Sequence, residues 1–147
     1  MEIERKFLIK ELPANLEQYS SKEIEQAYLC KDPVVRIRRE DETYYMTYKG
    51  KGLMVREEYN LPLNKEAYAH LKTKADGKVI HKTRYLIPEK DGLTIELDVF
   101  HGDHAPLILA EVEFPSKEAA ESYEMPDWFA EDVTTNPAYH NSNMIGL

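Results

Sequence analysis

Cysteine is almost absent. Cys30 stands alone in 147 residues, which excludes an internal disulfide and argues against a cysteine-based zinc site. No run of about 18 apolar residues occurs, so no transmembrane helix and no membrane partner are expected. The opening Met1-Glu2-Ile3-Glu4-Arg5-Lys6 mixes acids and bases. A signal peptide would join a basic tip to an apolar stretch, so none is expected, and a cytoplasmic location is the default. Positive charge is in deficit. Nineteen Lys and Arg face 27 Asp and Glu, for a net charge of -8. That balance argues against a nucleic-acid partner held on a general basic surface. It leaves room for an anion site in which a few cations are concentrated. Low-complexity linkers, clear repeats and breaks in composition are also lacking, so a single domain over 1–147 is expected. The sequence leaves the oligomeric state open.

What is present is an ordinary globular composition, 42% hydrophobic and 31% charged, with enough chain for a sizeable core. Alternation of apolar and polar residues marks candidate strands at 2–9, 24–31, 33–40, 43–49, 54–62, 78–88, 93–100 and 107–114. Turn chemistry separates many of them, as in Lys31-Asp32-Pro33, Gly50-Lys51-Gly52 and Lys90-Asp91-Gly92. Helices are predicted at 64–75, capped by Asn64 with Gly77 beyond the end, and at 116–124, capped by Ser116. A third is predicted to start at Asn136-Pro137, where proline suits the first helical position. Strands with short connections suggest a mainly β (α+β) fold built on an antiparallel sheet, open or closed as a barrel.

The charges fall on one parity. Successive strand residues point to opposite faces. Glu2, Glu4 and Lys6 therefore share a face opposite Ile3 and Phe7. Arg36 pairs with Arg38, Thr47 with Lys49, Arg56 with Glu58, Lys82 with Arg84, Glu96 with Asp98, and Glu111 with Glu113. Each charged face solvated over an apolar core is the ordinary explanation. The other is a barrel whose charged faces look inward. Such a lumen would hold seven cations (Lys6, Arg36, Arg38, Lys49, Arg56, Lys82 and Arg84) among several carboxylates. It would be stable only as a wet site for a polyanion and metal ions. Alternation alone does not choose between the two.

The hexapeptide Glu2-Ile3-Glu4-Arg5-Lys6-Phe7 resembles the Glu-x-Glu-x-Lys signature of the CYTH superfamily, the triphosphate tunnel metalloenzymes. Further segments follow in the order of its short bacterial members: QAYL at 26–29, VRIRR at 35–39, TYKGKG at 47–52, REEYN at 56–60, KTRYLI at 82–87, ELDVF at 96–100 and AEVEF at 110–114. A C-terminal segment with Tyr139 and Asn141 follows as well. Three fixed charges recur by chance; the ordered series over nearly the whole chain is specific.

The resemblance implies a closed eight-stranded antiparallel β-barrel, a tunnel, with a few flanking helices. It implies chemistry on a small-molecule triphosphate with Mg²⁺ or Mn²⁺. Glu2, Glu4 and Glu113 would hold the metal, with Glu111 and Asp98 nearby as supporting or alternative ligands. Lys6, Arg36, Arg38, Lys49, Arg56, Lys82 and Arg84 would hold phosphate oxygens. Glu4, Lys82 and Glu113 are the candidate catalytic residues, and 136–144 would close one tunnel end. The chemistry is coherent. Hard divalent ions prefer oxygen ligands, arginine forks match phosphate, and phosphoryl transfer needs positioning and charge stabilisation above all. Hydrolysis of inorganic triphosphate is the first expectation. Thiamine or nucleoside triphosphatase, adenylate cyclase and a non-catalytic polyphosphate or organic-phosphate binding module are its rivals; the retained carboxylates favour an enzyme.

Other residues carry less. Tyr28 reads first as a core or rim tyrosine. Lys82 reads as a phosphate ligand ahead of a general base. His81 points away from Lys82 by parity, and His101 and His104 in their turn lack a metal-site framework. Gly50-Lys51-Gly52 is a turn without phosphate-loop spacing. Trp128 and Phe129 are expected to anchor a C-terminal segment.

Overall fold

Period-two alternation needs a curved sheet to give its two faces different fates. The computed structural model describes residues 1–146. Ten strands form: β1 (Glu2–Ile9), β2 (Ser20–Lys31), β3 (Val34–Glu40), β4 (Thr43–Lys49), β5 (Val55–Arg56), β6 (Glu58–Leu63), β7 (Asp76–Pro88), β8 (Thr94–His101), β9 (Ile108–Glu113) and β10 (Phe129–Asp132). They join in one antiparallel sheet in the order β10-β1-β9-β8-β7-β2-β3-β4-β6, with β5 paired back to β1. Glu57 alone separates β5 from β6, so the two act as one bent strand. Its β6 part pairs β4, and its β5 part meets β1 at Glu2↔Arg56 and Ile3↔Val55. The Glu4 amide adds a bond to the Met54 carbonyl at 3.0 Å. The sheet is thereby a nearly closed barrel of mainly β character, as expected. β10 was not anticipated. It lies along the far half of β1, at Phe7↔Asp132 and Ile9↔Phe129.

Among the described residues two α-helices flank the barrel. The carboxamide oxygen of Asn64 accepts from the Ala67 amide at 2.7 Å and starts α1 (Lys65–Lys72). Ser116 caps α2 (Lys117–Ser122) through the Ala119 amide at 3.1 Å. Each cap is worth about 1 kcal/mol. The predicted helix over 64–75 ends early, with Thr73 as its last cap. Gly77 does not terminate it. Gly77 sits in β7 at φ +66°, where a Cβ would collide with the Ile145 carbonyl oxygen, and the neighbouring Lys78 amide bonds that oxygen at 2.7 Å. The third predicted helix is instead two 3-10 turns, at Pro137–Tyr139 and Asn141–Asn143. Among the described residues no helix is long and apolar enough to cross a membrane.

The apolar faces lie outside the barrel and are covered there. Phe7, Leu97, Ala110 and Val112 are fully buried under α2 and β10, and Phe129 stacks on Phe7 with ring centroids 4.8 Å apart. Burying a side chain of this size contributes about 1.5–3 kcal/mol. α1 covers Ala27 and Ile37 with Tyr68, whose hydroxyl donates to Glu25 at 2.7 Å. Trp128 meets Phe129 edge-on. The inward rows change character along the barrel. β1 runs Glu2, Glu4, Lys6, Leu8; β7 runs Arg84, Lys82, Ile80; β8 runs Glu96, Asp98, Phe100; β9 runs Glu113, Glu111, Leu109. Their apolar ends pack with Val133 and Ile145 of the C-terminal segment. One end of the barrel is therefore plugged by a small apolar core, and the charged stretch lies above it.

Candidate active site

Cross-strand register decides which charges meet. Lys6 lies opposite Glu111, and Glu4 opposite Glu113, on the β1–β9 pair. Glu96 lies opposite Glu111 on β8–β9, Arg38 opposite Gln26 on β2–β3, and Lys49 opposite Glu58 on β4–β6. The charged side chains of these pairs share the concave face and line one cavity of about 230 Å³, while Gln26 is fully buried beside Arg38. Its walls carry Lys6, Arg36, Arg38, Lys49, Arg56, Lys82 and Arg84 together with Glu2, Glu4, Glu58, Glu96, Glu111 and Glu113. Tyr28, His140, Asn141 and Ser142 line it too. The loop and outer-face residues lie elsewhere. The His81 side chain is half exposed, 3.7 Å from Glu25 on the outer face, and Phe129 belongs to the outer core.

The cations differ in how far they are already paired. Arg84 grips Asp98 with Nε at 2.7 Å and Nη2 at 2.9 Å, and reaches Glu96 at 3.2 Å and Glu111 at 3.6 Å. Lys82 lies 2.7 Å from Asp98 and donates to Asn141 Oδ1 at 3.0 Å. Lys49 pairs with Glu2 at 3.0 Å and Glu58 at 3.6 Å. Lys6 reaches Glu111 at 3.5 Å and donates to the Tyr139 carbonyl at 3.2 Å. Arg56 donates to the Gly50 carbonyl at 3.1 Å. Like Arg56, Arg36 and Arg38 contact no carboxylate among the described residues. Arg38 donates to Gln26 and Tyr45. Arg36 donates to Thr47 at 3.1 Å, and its buried Nε has no partner among the described residues. A buried guanidinium nitrogen left unpaired is costly unless something else accepts from it.

The carboxylates also divide. Burial alone would raise Glu111, but Lys6, Arg84 and Lys82 together hold it well below the usual range. Burial likewise opposes Asp98, and Arg84 with Lys82 overcome it. Glu4 goes the other way. Burial, then the nearby Glu111 and Glu2, push it well above the ordinary value. Burial followed by Glu2, Glu58 and Glu96 raises Glu113, and burial is the main reason Glu2 is raised. Ligand oxygens of Glu4, Glu96 and Glu111 lie within 4.8 Å of one another. Carboxylates held this close, with Glu4 raised by its neighbours, suit a divalent cation.

Of the residues singled out from sequence, the cavity gathers all seven cations, the four glutamates and Tyr28. Asp98 is fully buried, with both oxygens taken by Arg84 and Lys82. Glu96 was not among the candidate ligands, although its parity with Asp98 was visible. Gln26 and Asn141 were quoted only as parts of motifs. A neutral amide carries no charge pattern to flag it, and Asn141 comes from a segment outside the strand alternation.

With this geometry in hand, similarity to known proteins is informative. The profile of the CYTH domain family matches residues 1–143. A curated relative from Nitrosomonas europaea, named inorganic triphosphatase, is 38% identical over 143 residues, covering 95% of this chain and 93% of its own. A second, from Acetivibrio thermocellus and named likewise, is 35% identical over 121 residues, or 80% of this chain and 75% of its own. The crystal structure of an inorganic triphosphatase superposes with a TM-score of 0.73 at 35% identity, covering 99% of this chain and 94% of that one. A plant protein from Hippeastrum, described as a putative adenylyl cyclase with a dominant triphosphatase activity, shares the fold at TM-score 0.63 and 14% identity.

Proposed function

The chain belongs to the CYTH domain family, and from that premise we propose that it hydrolyses the terminal phosphoanhydride of inorganic triphosphate inside its barrel. The observation that carries this reading is the convergence of seven cations on one cavity, with Arg36, Arg38 and Arg56 making no carboxylate contact among the described residues. A linear polyanion satisfies that excess, and its oxygens supply the acceptor that Arg36 Nε lacks. The names of the relatives support the same substrate. A cytoplasmic location belongs to this reading.

The chain's own groups divide the work as follows. Arg36, Arg38, Lys6, Lys49 and Arg56 bind and straighten the phosphate chain. Arg84, already clamped on Asp98, adds a rigid edge. Lys82 contributes an ammonium at mid-tunnel. Burial lowers its pKa to about 7 against the pull of Asp98, and an arriving polyanion reverses that shift. Its first role is therefore phosphate binding, with general base as the alternative. Asp98 acts as an anchor for both cations.

Glu2, Glu4 and Glu113, with Glu111 and the newly apparent Glu96, would hold the Mg²⁺ or Mn²⁺. Such an ion would neutralise phosphate oxygens and lower the pKa of an attacking water. The raised Glu4 and Glu113 fit that demand, because a nearby dication offsets both the burial and the like-charge repulsion that push them up.

A phosphate-release panel tests the proposal: tripolyphosphate, thiamine triphosphate, ATP and longer polyphosphate, each with Mg²⁺ and with Mn²⁺. The expected result is the highest kcat/KM for tripolyphosphate. A higher value for thiamine triphosphate or ATP overturns the substrate choice. Cyclic AMP with pyrophosphate identifies a cyclase, and tight binding without release identifies a binding module.

A further inference from the structure

Gln26 is fully buried in the tunnel wall, and all its hydrogen-bonding groups are engaged. Its Oε1 accepts from Arg38 Nε at 2.9 Å and from Arg38 Nη2 at 2.6 Å. Its Nε2 donates to the Tyr28 hydroxyl at 3.1 Å and to Asn141 Oδ1 at 3.0 Å. Asn141 Oδ1 also accepts from Lys82 Nζ at 3.0 Å. The orientation of every amide in this chain follows from one fact. Guanidinium only donates, so the oxygen of Gln26 must face Arg38 and its nitrogen must face Asn141. Asn141 then receives two donors on its oxygen, and its own amide nitrogen is turned the other way.

We infer that Gln26 is a positioning residue that aims Arg38 at the anion without neutralising it. Arg38 has five N–H groups. Gln26 takes two and Tyr45 one, at 3.2 Å. The remaining two are left for the ligand. Arg84 shows the contrasting solution: it is fixed just as firmly, but by carboxylates that cancel its charge. A carboxamide supplies the same acceptor geometry at no electrostatic cost to anion binding. A glutamate at position 26 would orient Arg38 and spend its charge at once. This inference rests on the triphosphate reading for its ligand.

The test is a double-mutant cycle read by calorimetric titration of metal-free tripolyphosphate, with thermal unfolding of each variant alongside. Gln26→Leu is expected to weaken binding about tenfold in the wild-type background and less than about twofold in the Arg38→Ala background. A merely structural glutamine would lower the unfolding temperature and give equal losses in both backgrounds, which overturns the inference. Gln26→Glu keeps the acceptor for Arg38 and so serves if the leucine variant does not fold. It is expected to weaken binding at least tenfold while Arg38 stays in place; wild-type affinity in this variant overturns the charge-sparing role. Failure of the wild-type protein to bind tripolyphosphate overturns the triphosphate reading and this inference with it. Normal wild-type binding with additive losses overturns this inference alone.

Discussion

Lys82 Nζ lies 2.7 Å from Asp98 Oδ2, with the two side chains 1% and 0% exposed. A lysine so close to a carboxylate would ordinarily keep its proton to high pH. Here burial is the largest influence, and Arg84 and Arg38 add to it, so the pKa falls to about 7. Arg84 takes both oxygens of Asp98 and dilutes what that carboxylate can do for Lys82.

This relationship has a sign that can be measured. Burial brings the Lys82 pKa down to about 7, so at mildly alkaline pH part of the free protein carries Lys82 without its proton. A bound polyanion raises that pKa, so binding takes up a proton. Titration of tripolyphosphate in two buffers of different ionisation enthalpy reads the uptake. The wild type is expected to take up more protons than Lys82→Met at this pH. Equal uptake would remove Lys82 from the titrating set.

Glu4→Gln separates metal chemistry from anion binding. The amide keeps the shape of Glu4 and removes the charge that a hard divalent ion needs. Turnover at saturating Mg²⁺ or Mn²⁺ is expected to fall about 100-fold or more. Metal-free binding of tripolyphosphate is expected to stay or to tighten, since one repulsion is gone. Near-normal turnover would take Glu4 out of the metal site. Lost binding in a folded variant would make it an organiser of the tunnel wall.

Arg38→Ala is expected to lower binding and turnover together. It removes two charge-assisted donors from the ligand, worth about 1.5–3 kcal/mol each, and so weakens metal-free binding by at least about tenfold along with turnover. Unchanged affinity by calorimetry would place the anion elsewhere in the barrel.

Gly77→Ala tests the plug. Gly77 adopts φ +66° against the Ile145 carbonyl, where alanine is both strained and blocked. A loss of more than about 1 kcal/mol is expected, seen as a drop of about 2–4 °C or more in Tm. An unchanged Tm would mean that the C-terminal segment is held by other contacts.

Much of this was legible beforehand. Asn64 and Ser116 announced their helices because capping is a contact between residues three apart. The shared parity of Glu2, Glu4 and Lys6, and of Arg36 with Arg38, followed from strand geometry alone. Strand β10 was missed because Phe129–Asp132 is too short to show alternation and pairs only through β1. The predicted third helix became two 3-10 turns, tied to the barrel where the Tyr139 carbonyl accepts from Lys6 and Asn141 accepts from Lys82.

The sequence by itself determined which side chains share a face, since alternation is a local property of extended backbone. It did not determine which face is inside. That depends on the bent strand through Glu57 meeting β1 at Glu2 and Ile3, a contact between segments more than 50 residues apart. Closure turned seven cations from a solvated surface into one wall. It also brought Glu96 to Glu4 and Glu111 and withdrew Asp98 behind Arg84 and Lys82. Gln26 and Asn141 acquired their significance only there. The part played by a neutral amide is set by which donors and acceptors surround it, and those neighbours are assembled by cross-strand register together with the docking of the C-terminal turns.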